Sequence, residues 1–341
     1  MKKKNGKKTM NKQQLNSLYD ICSYTRAAGG EGERLMIAKH IEPVIDYKDD
    51  YGNYYKRVGA APVIWSSHTD TVHDLTDSIK QTVHIDDTCS RLSKGKDNMC
   101  LGADCGTGVW LMLQMIQAEV QGLYIFHREE EIGGQGSTWI VDNPQASTRP
   151  GIHIDCGHWL DEYNQCIAFD RYGTTSIITH QGKQRTCSDG YAHDLAAVLD
   201  MNYGLDEGGS FTDSKSYCRT VSECTNISIG YYNQHRNGEY QDLNHLLKLA
   251  DALCSRGDQI GKLSPYRDPS KVEMLECNNK RSYEAQPPVE SYREPGSLVH
   301  AITSYPDIVA EMLRDSNPYH IDDEELACLI MDRSYDTQHY N

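Results

Sequence analysis

The sequence predicts an α/β fold, a three-layer sandwich in which a mixed, largely parallel central sheet is flanked by helices. Three observations carry that expectation. Short apolar runs of strand length recur along the chain, and several end on a residue able to bind a metal or move a proton. Glycine-rich turns then lead from strand-like runs into stretches of helical spacing.

Over residues 10–45, Leu15, Leu18, Ile21, Cys22, Leu35, Ile37 and Ile41 fall at helical intervals, and Ala28-Gly29-Gly30-Glu31-Gly32 divides them into two helices. A strand and turn follow at Asp50-Tyr51-Gly52-Asn53, Gly-Asn being a favoured turn dipeptide. The run Ala61-Pro62-Val63-Ile64-Trp65-Ser66-Ser67 reads as a buried strand that delivers His68 at its far end. Gly106-Thr107-Gly108 opens a buried helix through Ile116. Residues 122–127 form the next strand, and Ile132-Gly133-Gly134-Gln135-Gly136-Ser137 turns into another helix. Residues 165–169 and 226–230 supply two further strands.

Near Ser264 the composition shifts, and Asp268-Pro269 and Gln286-Pro287-Pro288 mark a linker. Beyond it residues 308–313 and 324–331 carry helical spacing, with Ile321-Asp322-Asp323-Glu324 resembling a capped helix start. The expected organisation is a flexible basic N-terminus over residues 1–9, a catalytic domain over residues 10–262, and a linker with a small helical appendage over residues 263–341.

Composition narrows the function. A net charge of -15 leaves no excess of cations to displace counterions from phosphate, which argues against a general nucleic-acid binder. The opening lysines are followed by Asn11-Lys12-Gln13-Gln14 rather than an apolar stretch, and no run approaches the roughly 20 apolar residues of a membrane span. The 12 cysteines contain no Cys-x-x-Cys pair, so reduced thiols and a cytoplasmic location are expected.

Five short segments carry chemistry. His68-Thr69-Asp70 follows a strand; imidazole is a good metal ligand, and a carboxylate two residues on can orient it, although the same pair also suits an exposed turn. Asp104 sits in the bend Leu101-Gly102-Ala103-Asp104-Cys105-Gly106, where it can cap the next helix or bridge two ions. His127-Arg128-Glu129-Glu130-Glu131-Ile132-Gly133 places three carboxylates between a strand and a glycine turn. Adjacent side chains diverge, so one glutamate can hold a cation while its neighbour works on a water. Asp170 closes the strand at residues 165–169, and Asn233-Gln234-His235 ends in imidazole. Each is ambiguous alone. In chain order they make a set, nearly all on loops after strands, where ligands bind in open α/β sheets.

The segments Ser67-His68-Thr69-Asp70, Gly102-Ala103-Asp104, Glu130-Glu131-Ile132-Gly133 and Gly230-Tyr231-Tyr232-Asn233-Gln234-His235 resemble those of the co-catalytic zinc aminopeptidase and carboxypeptidase superfamily, over roughly residues 10–255. The resemblance implies two zinc ions, with cobalt or manganese as substitutes. Asp104 would bridge them, His68 and Asp170 would complete one, and Glu131 and His235 the other. Glu130 would be the general base, and Asp70 would orient His68.

Asp155, in His153-Ile154-Asp155-Cys156-Gly157-His158, is the alternative to Asp170. Cys105 stands where many relatives carry an acidic or polar residue. The interval from Asp170 to His235 is too short for the inserted lid of many relatives, which points to the compact branch where aminopeptidases are common. Gly208-Gly209-Ser210-Phe211-Thr212-Asp213 is either substrate-pocket lining or a plain turn. The expected activity is hydrolysis of a peptide or related amide bond, with a homo-oligomer as one possible assembly. The alternatives are a deacylase of small acylated amino acids and a catalytically silent, metal-stabilised peptide-binding module.

Overall fold

The computed structural model describes residues 12–86, 88–95, 99–143 and 159–275. The chain divides into two units after residue 277, and every described residue belongs to the first. Asp155 and its neighbouring histidines, and the helical spacing beyond residue 300, lie outside the described residues.

The chain opens with α1 (Lys12–Ser23) and α2 (Glu31–His40), then β1 (Tyr47–Lys48), β2 (Tyr54–Val58) and β3 (Val63–His68). A hairpin of β4 (Val83–Asp86) and β5 (Arg91–Lys94) precedes α3 (Ala103–Gln117), β6 (Gly122–His127) and α4 (Gln135–Asp142). Next come β7 (Gln165–Arg171), β8 (Ser176–Ile178), β9 (His180–Gln181), β10 (Gln184–Arg185), α5 (Asp189–Leu199), β11 (Gly204–Asp206) and α6 (Asp213–Ser216). The unit ends with β12 (Glu223–Ser228), β13 (Tyr231–Tyr232), β14 (Tyr240–Asp242) and α7 (Leu243–Ile260).

Eight strands form one sheet in the order β1-β2-β6-β3-β7-β12-β8-β11. Its centre, β6-β3-β7-β12, is parallel, whereas β2 and β8 run antiparallel to their neighbours in that centre. The three-layer expectation is borne out, and the reason lies in the period of two along each strand. On one face Val63, Trp65, Tyr124, Phe126, Ile167 and Phe169 pack with residues of α1, α3, α5 and α7. On the other, Ile64, Leu123, Ile125, Cys166 and Cys224 pack with Ile140 of α4, Trp159 and Tyr217. Both faces are covered, so β3, β6 and β12 are buried along their whole length rather than at alternate residues.

Several elements differ in extent from the sequence reading. α3 begins at Ala103, but Asp104 and Cys105 have non-helical dihedrals, so regular helix starts at Gly106. The last central strand starts at Glu223, ahead of the apolar residues that marked it, because its buried polar side chains are satisfied by hydrogen bonds. Gly108 brings α3 against β7: a Cβ there would lie 2.3 Å from the Phe169 carbonyl oxygen and 2.4 Å from Cys105 Sγ.

A second, four-stranded sheet, β13-β14-β5-β4, stands beside the loops that carry Asp104 and His235. Arg26, fully buried, ties this region together. Its guanidinium donates to the carbonyls of Ile21, Thr69 and Gly102, linking the end of α1 to the loops after His68 and before Asp104. Beside it His73 accepts from the Arg26 N–H through Nδ1 (3.0 Å), and its Nε2 lies 3.1 Å from the Cys100 carbonyl. Burial, reinforced by the Arg26 cation, pushes His73 from 6.5 down to about 4.

The unfolded chain therefore takes up a proton at His73 between pH 6.5 and 4 that the folded protein refuses, and stability falls as pH is lowered through that window. The full effect is about 3 kcal/mol, complete below both values. Urea midpoints at pH 7 and pH 5 check this: His73→Gln is expected to show a shallower acid loss than the wild type, and an equal loss would contradict it.

The described chain continues past α7. Arg267 is buried, and the backbone N–H groups of Tyr266 and Arg267 donate to Glu223 Oε1. Arg185 N donates to the Glu273 carbonyl and Leu275 N to that of Lys183. Residues 263–275, expected to form the start of the linker, thus pack along the sheet-bearing unit. Among the described residues no helix is long and apolar enough to cross a membrane.

Candidate metal centre

The four central parallel strands end on one side of the sheet, and each delivers a candidate residue there. His68 is the last residue of β3 and Asp170 the last but one of β7; Glu130 and Glu131 follow β6, and His235 lies beyond β12 and β13. Asp104 comes from the bend before α3. These positions converge. His68 Nε2 lies 3.2 Å from Asp104 Oδ1 and 3.4 Å from Asp170 Oδ1, while His235 Nε2 lies 3.2 Å from Asp104 Oδ2 and 2.9 Å from Glu131 Oε1. Asp104 thus offers one oxygen to each imidazole.

The three glutamates after β6 do diverge. Glu129 accepts a hydrogen bond from the Tyr51 hydroxyl, Glu130 Oε2 points to within 4.0 Å of His68 Nε2, and Glu131 meets His235. Asp70 organises this loop from beneath. Its two carboxylate oxygens accept the backbone N–H groups of Glu130 and Glu131, each at 3.1 Å, and Oδ1 lies 3.4 Å from His68 Nδ1. Burial works to raise the Asp70 carboxyl, but His68 and the two N–H groups outweigh it and hold it below the usual carboxylate range. Arg128, paired with the fully buried Glu33 at 2.8 Å, anchors the same loop to α2.

Supporting residues escaped the sequence reading. Glu239 Oε2 accepts the N–H groups of Leu101 and Gly102, and Oε1 accepts that of Asp104 at 3.2 Å, fixing the bend that presents Asp104. Tyr231 and Thr212 donate to Asp170 at 3.3 and 2.7 Å, and Asn226 holds the Asp170 backbone from both sides. Thr212 lies in the glycine-rich segment already singled out. Glu239 and Asn226 carry no motif, so nothing in the sequence marks them.

Two overlapping donor groups result, one of His68, Asp104, Cys105 and Asp170, the other of Asp104, Glu131 and His235. Within each group the ligand atoms lie within 4.8 Å of one another. Cys105 is the weak member. Burial pushes its thiol far above the usual range, and Sγ hydrogen-bonds the Phe169 carbonyl at 2.9 Å.

Charge argues for cations here. Burial and the charge of Asp104 push Asp170 up to about 8, and burial with Asp104 also raises Glu131. Burial and the surrounding carboxylates raise Glu130 well above its ordinary value, against the pull of His68. His235 is carried up to about 11: burial opposes, but the hydrogen bonds that it donates to Asp104 and Glu131 prevail. Carboxylates crowded around two imidazoles thus repel one another, and divalent cations would relieve that repulsion. Imidazole nitrogen and carboxylate oxygen are donors that zinc accepts. A cavity of ≈ 280 Å³ opens above the cluster, lined by Asp104, Glu130, Glu131, Asp170, His235 and, from the glycine-rich segment, Gly209, Ser210 and Phe211.

No family model and no curated protein matches this sequence. Solved structures do. Aminopeptidase PepT from Bacillus cereus superposes with a TM-score of 0.57 at 12% identity, over 73% of this chain and 98% of that one. A tripeptidase from Staphylococcus aureus gives 0.56 at 14% identity, over 76% and 100%. An aminopeptidase from the archaeon Desulfurococcus kamchatkensis gives 0.51 at 14% identity, over 74% and 97%. These are likenesses of fold: the chain folds as these aminopeptidases and this tripeptidase do.

Proposed function

We propose that the protein is a metal-dependent peptidase of the aminopeptidase type that holds two zinc ions in the cluster around Asp104. The observation that carries this reading is the division of Asp104, one oxygen toward His68 and the other toward His235. A carboxylate in that position suits a bridge between two ions. His68 and Asp170 would complete one site, Glu131 and His235 the other. Bound there, such ions supply Lewis acidity and lower the pKa of water.

The chain's own groups do the rest. Glu130, half-buried and beside the ligands without being one of them, takes the proton of the attacking water and returns it to the leaving amine. Asp70 accepts from His68 Nδ1 and from two N–H groups of the Glu130 loop, and so keeps imidazole and base in fixed relation. Phe211 and Ser210 shape the cavity that receives the peptide.

The test is a substrate panel on zinc-loaded protein: unblocked di- and tripeptides, their N-acetylated forms, and single N-acyl amino acids. Release of the N-terminal residue from unblocked peptides is the expected result. Turnover of N-acyl amino acids alone would replace the reading with a deacylase. Peptide binding without turnover under saturating zinc or cobalt would leave a silent binding module.

A further inference from the structure

Arg171 is the single arginine or lysine among the described residues that line the cavity. Its setting is specific. Nη2 donates to Asp206 Oδ2 at 3.0 Å, and the guanidinium carbon lies 4.2 Å from the centre of the Tyr172 ring. Asp206 is itself held, its other oxygen accepting the Gly208 N–H at 2.8 Å. Nη2 also donates to the Tyr172 hydroxyl at 3.4 Å, Nη1 has no hydrogen-bond partner among the described residues, and Nε is buried and unpartnered. The side chain is thus fixed by one ion pair, one ring contact and one hydrogen bond to the Tyr172 hydroxyl, with a charged donor left over in a pocket rich in carboxylates.

From these contacts we propose that Arg171 binds the carboxyl terminus of a short peptide, making a free carboxylate one or two residues past the cleaved bond a determinant of specificity. The proposal rests on the peptidase reading above. The distance supports that length. Asp170 lies on β7 and Asp206 on β11, three strands away in the order β7-β12-β8-β11. At about 4.8 Å per strand the span is about 14 Å, and the two side chains of the ion pair take up part of it. Extended peptide covers about 3.5 Å per residue, so one or two residues bridge the remainder. A longer peptide would carry uncharged backbone past Arg171. An amidated terminus would lose the charge-assisted hydrogen bond while keeping every other contact.

The experiment compares Leu-Gly-Gly with Leu-Gly-Gly amide on the zinc-loaded full chain, by kcat/KM and by calorimetric binding to the Glu130→Gln protein. The free acid is expected to be favoured about tenfold or more in both measurements. In Arg171→Gln the acid-to-amide ratio is expected to fall to near one, with Arg171→Lys retaining part of it. Equal treatment of acid and amide by the unmodified protein would overturn the proposal, and needs no variant to be folded. Absence of turnover for both peptides, with the acid still bound more tightly, would sink the peptidase reading and leave the Arg171 assignment standing.

Discussion

Replacing Glu130 by glutamine is expected to lower kcat by about 10²- to 10⁴-fold, the usual worth of a positioned general base, while zinc content stays at the wild-type level. The structure makes this a clean substitution. The loop is held by the backbone N–H groups of Glu130 and Glu131 on Asp70 and by Arg128 on Glu33, none of which involves the Glu130 side chain. Glutamine is nearly isosteric and cannot take a proton from water. The neighbours that would hold metal keep their mutual distances, because His235 meets Glu131 and Asp104 without passing through Glu130. Steady-state kinetics with metal analysis on the same sample decides the matter. A variant retaining more than a tenth of wild-type kcat would remove Glu130 from the base role.

Replacing Asp104 by asparagine should have the other large effect, on metal rather than on proton transfer. Hydrogen bonds from His235 and His68 hold Asp104 as an anion below its ordinary range in spite of burial. It is also the one residue common to both donor groups. Asparagine removes the negative charge and turns an NH₂ toward one imbalanced imidazole, so both sites weaken together. Zinc per chain is expected to fall from two to one or fewer. For the wild type, free zinc at a hundred times the dissociation constant stabilises the fold by about 2.7 kcal/mol per site. Most of that increment should vanish in the variant, read as a lost zinc-dependent rise in Tm. A variant that keeps two zinc ions would show that Asp104 does not bridge.

How much of this was legible in the sequence depends on distance along the chain. Strand β6 was legible to the residue, because Gly122 turns the chain into an unbroken apolar run that stops at His127. Strand β3 was legible for the same reason. The helices α5 and α7 were not singled out, although Ser188 and Asp242 cap them through side-chain hydrogen bonds. Their apolar residues show as a stripe only once the sheet they cover is known. The short strands β8, β9, β10 and β11 have two or three residues each, too few for periodicity to speak.

The sequence by itself determined the central α/β arrangement and an ordered set of metal-capable residues, because strand ends and glycine turns are local signals. What only the tertiary structure decided is proximity. His68 and His235 stand 167 positions apart in the chain, yet both come within 3.2 Å of a single carboxylate, Asp104. It also decided which of three consecutive glutamates faces which partner, and gave Glu239, Asn226 and Arg171 their places. Those depend on backbone N–H groups and side chains brought in from distant strands, and no spacing rule along one segment encodes them.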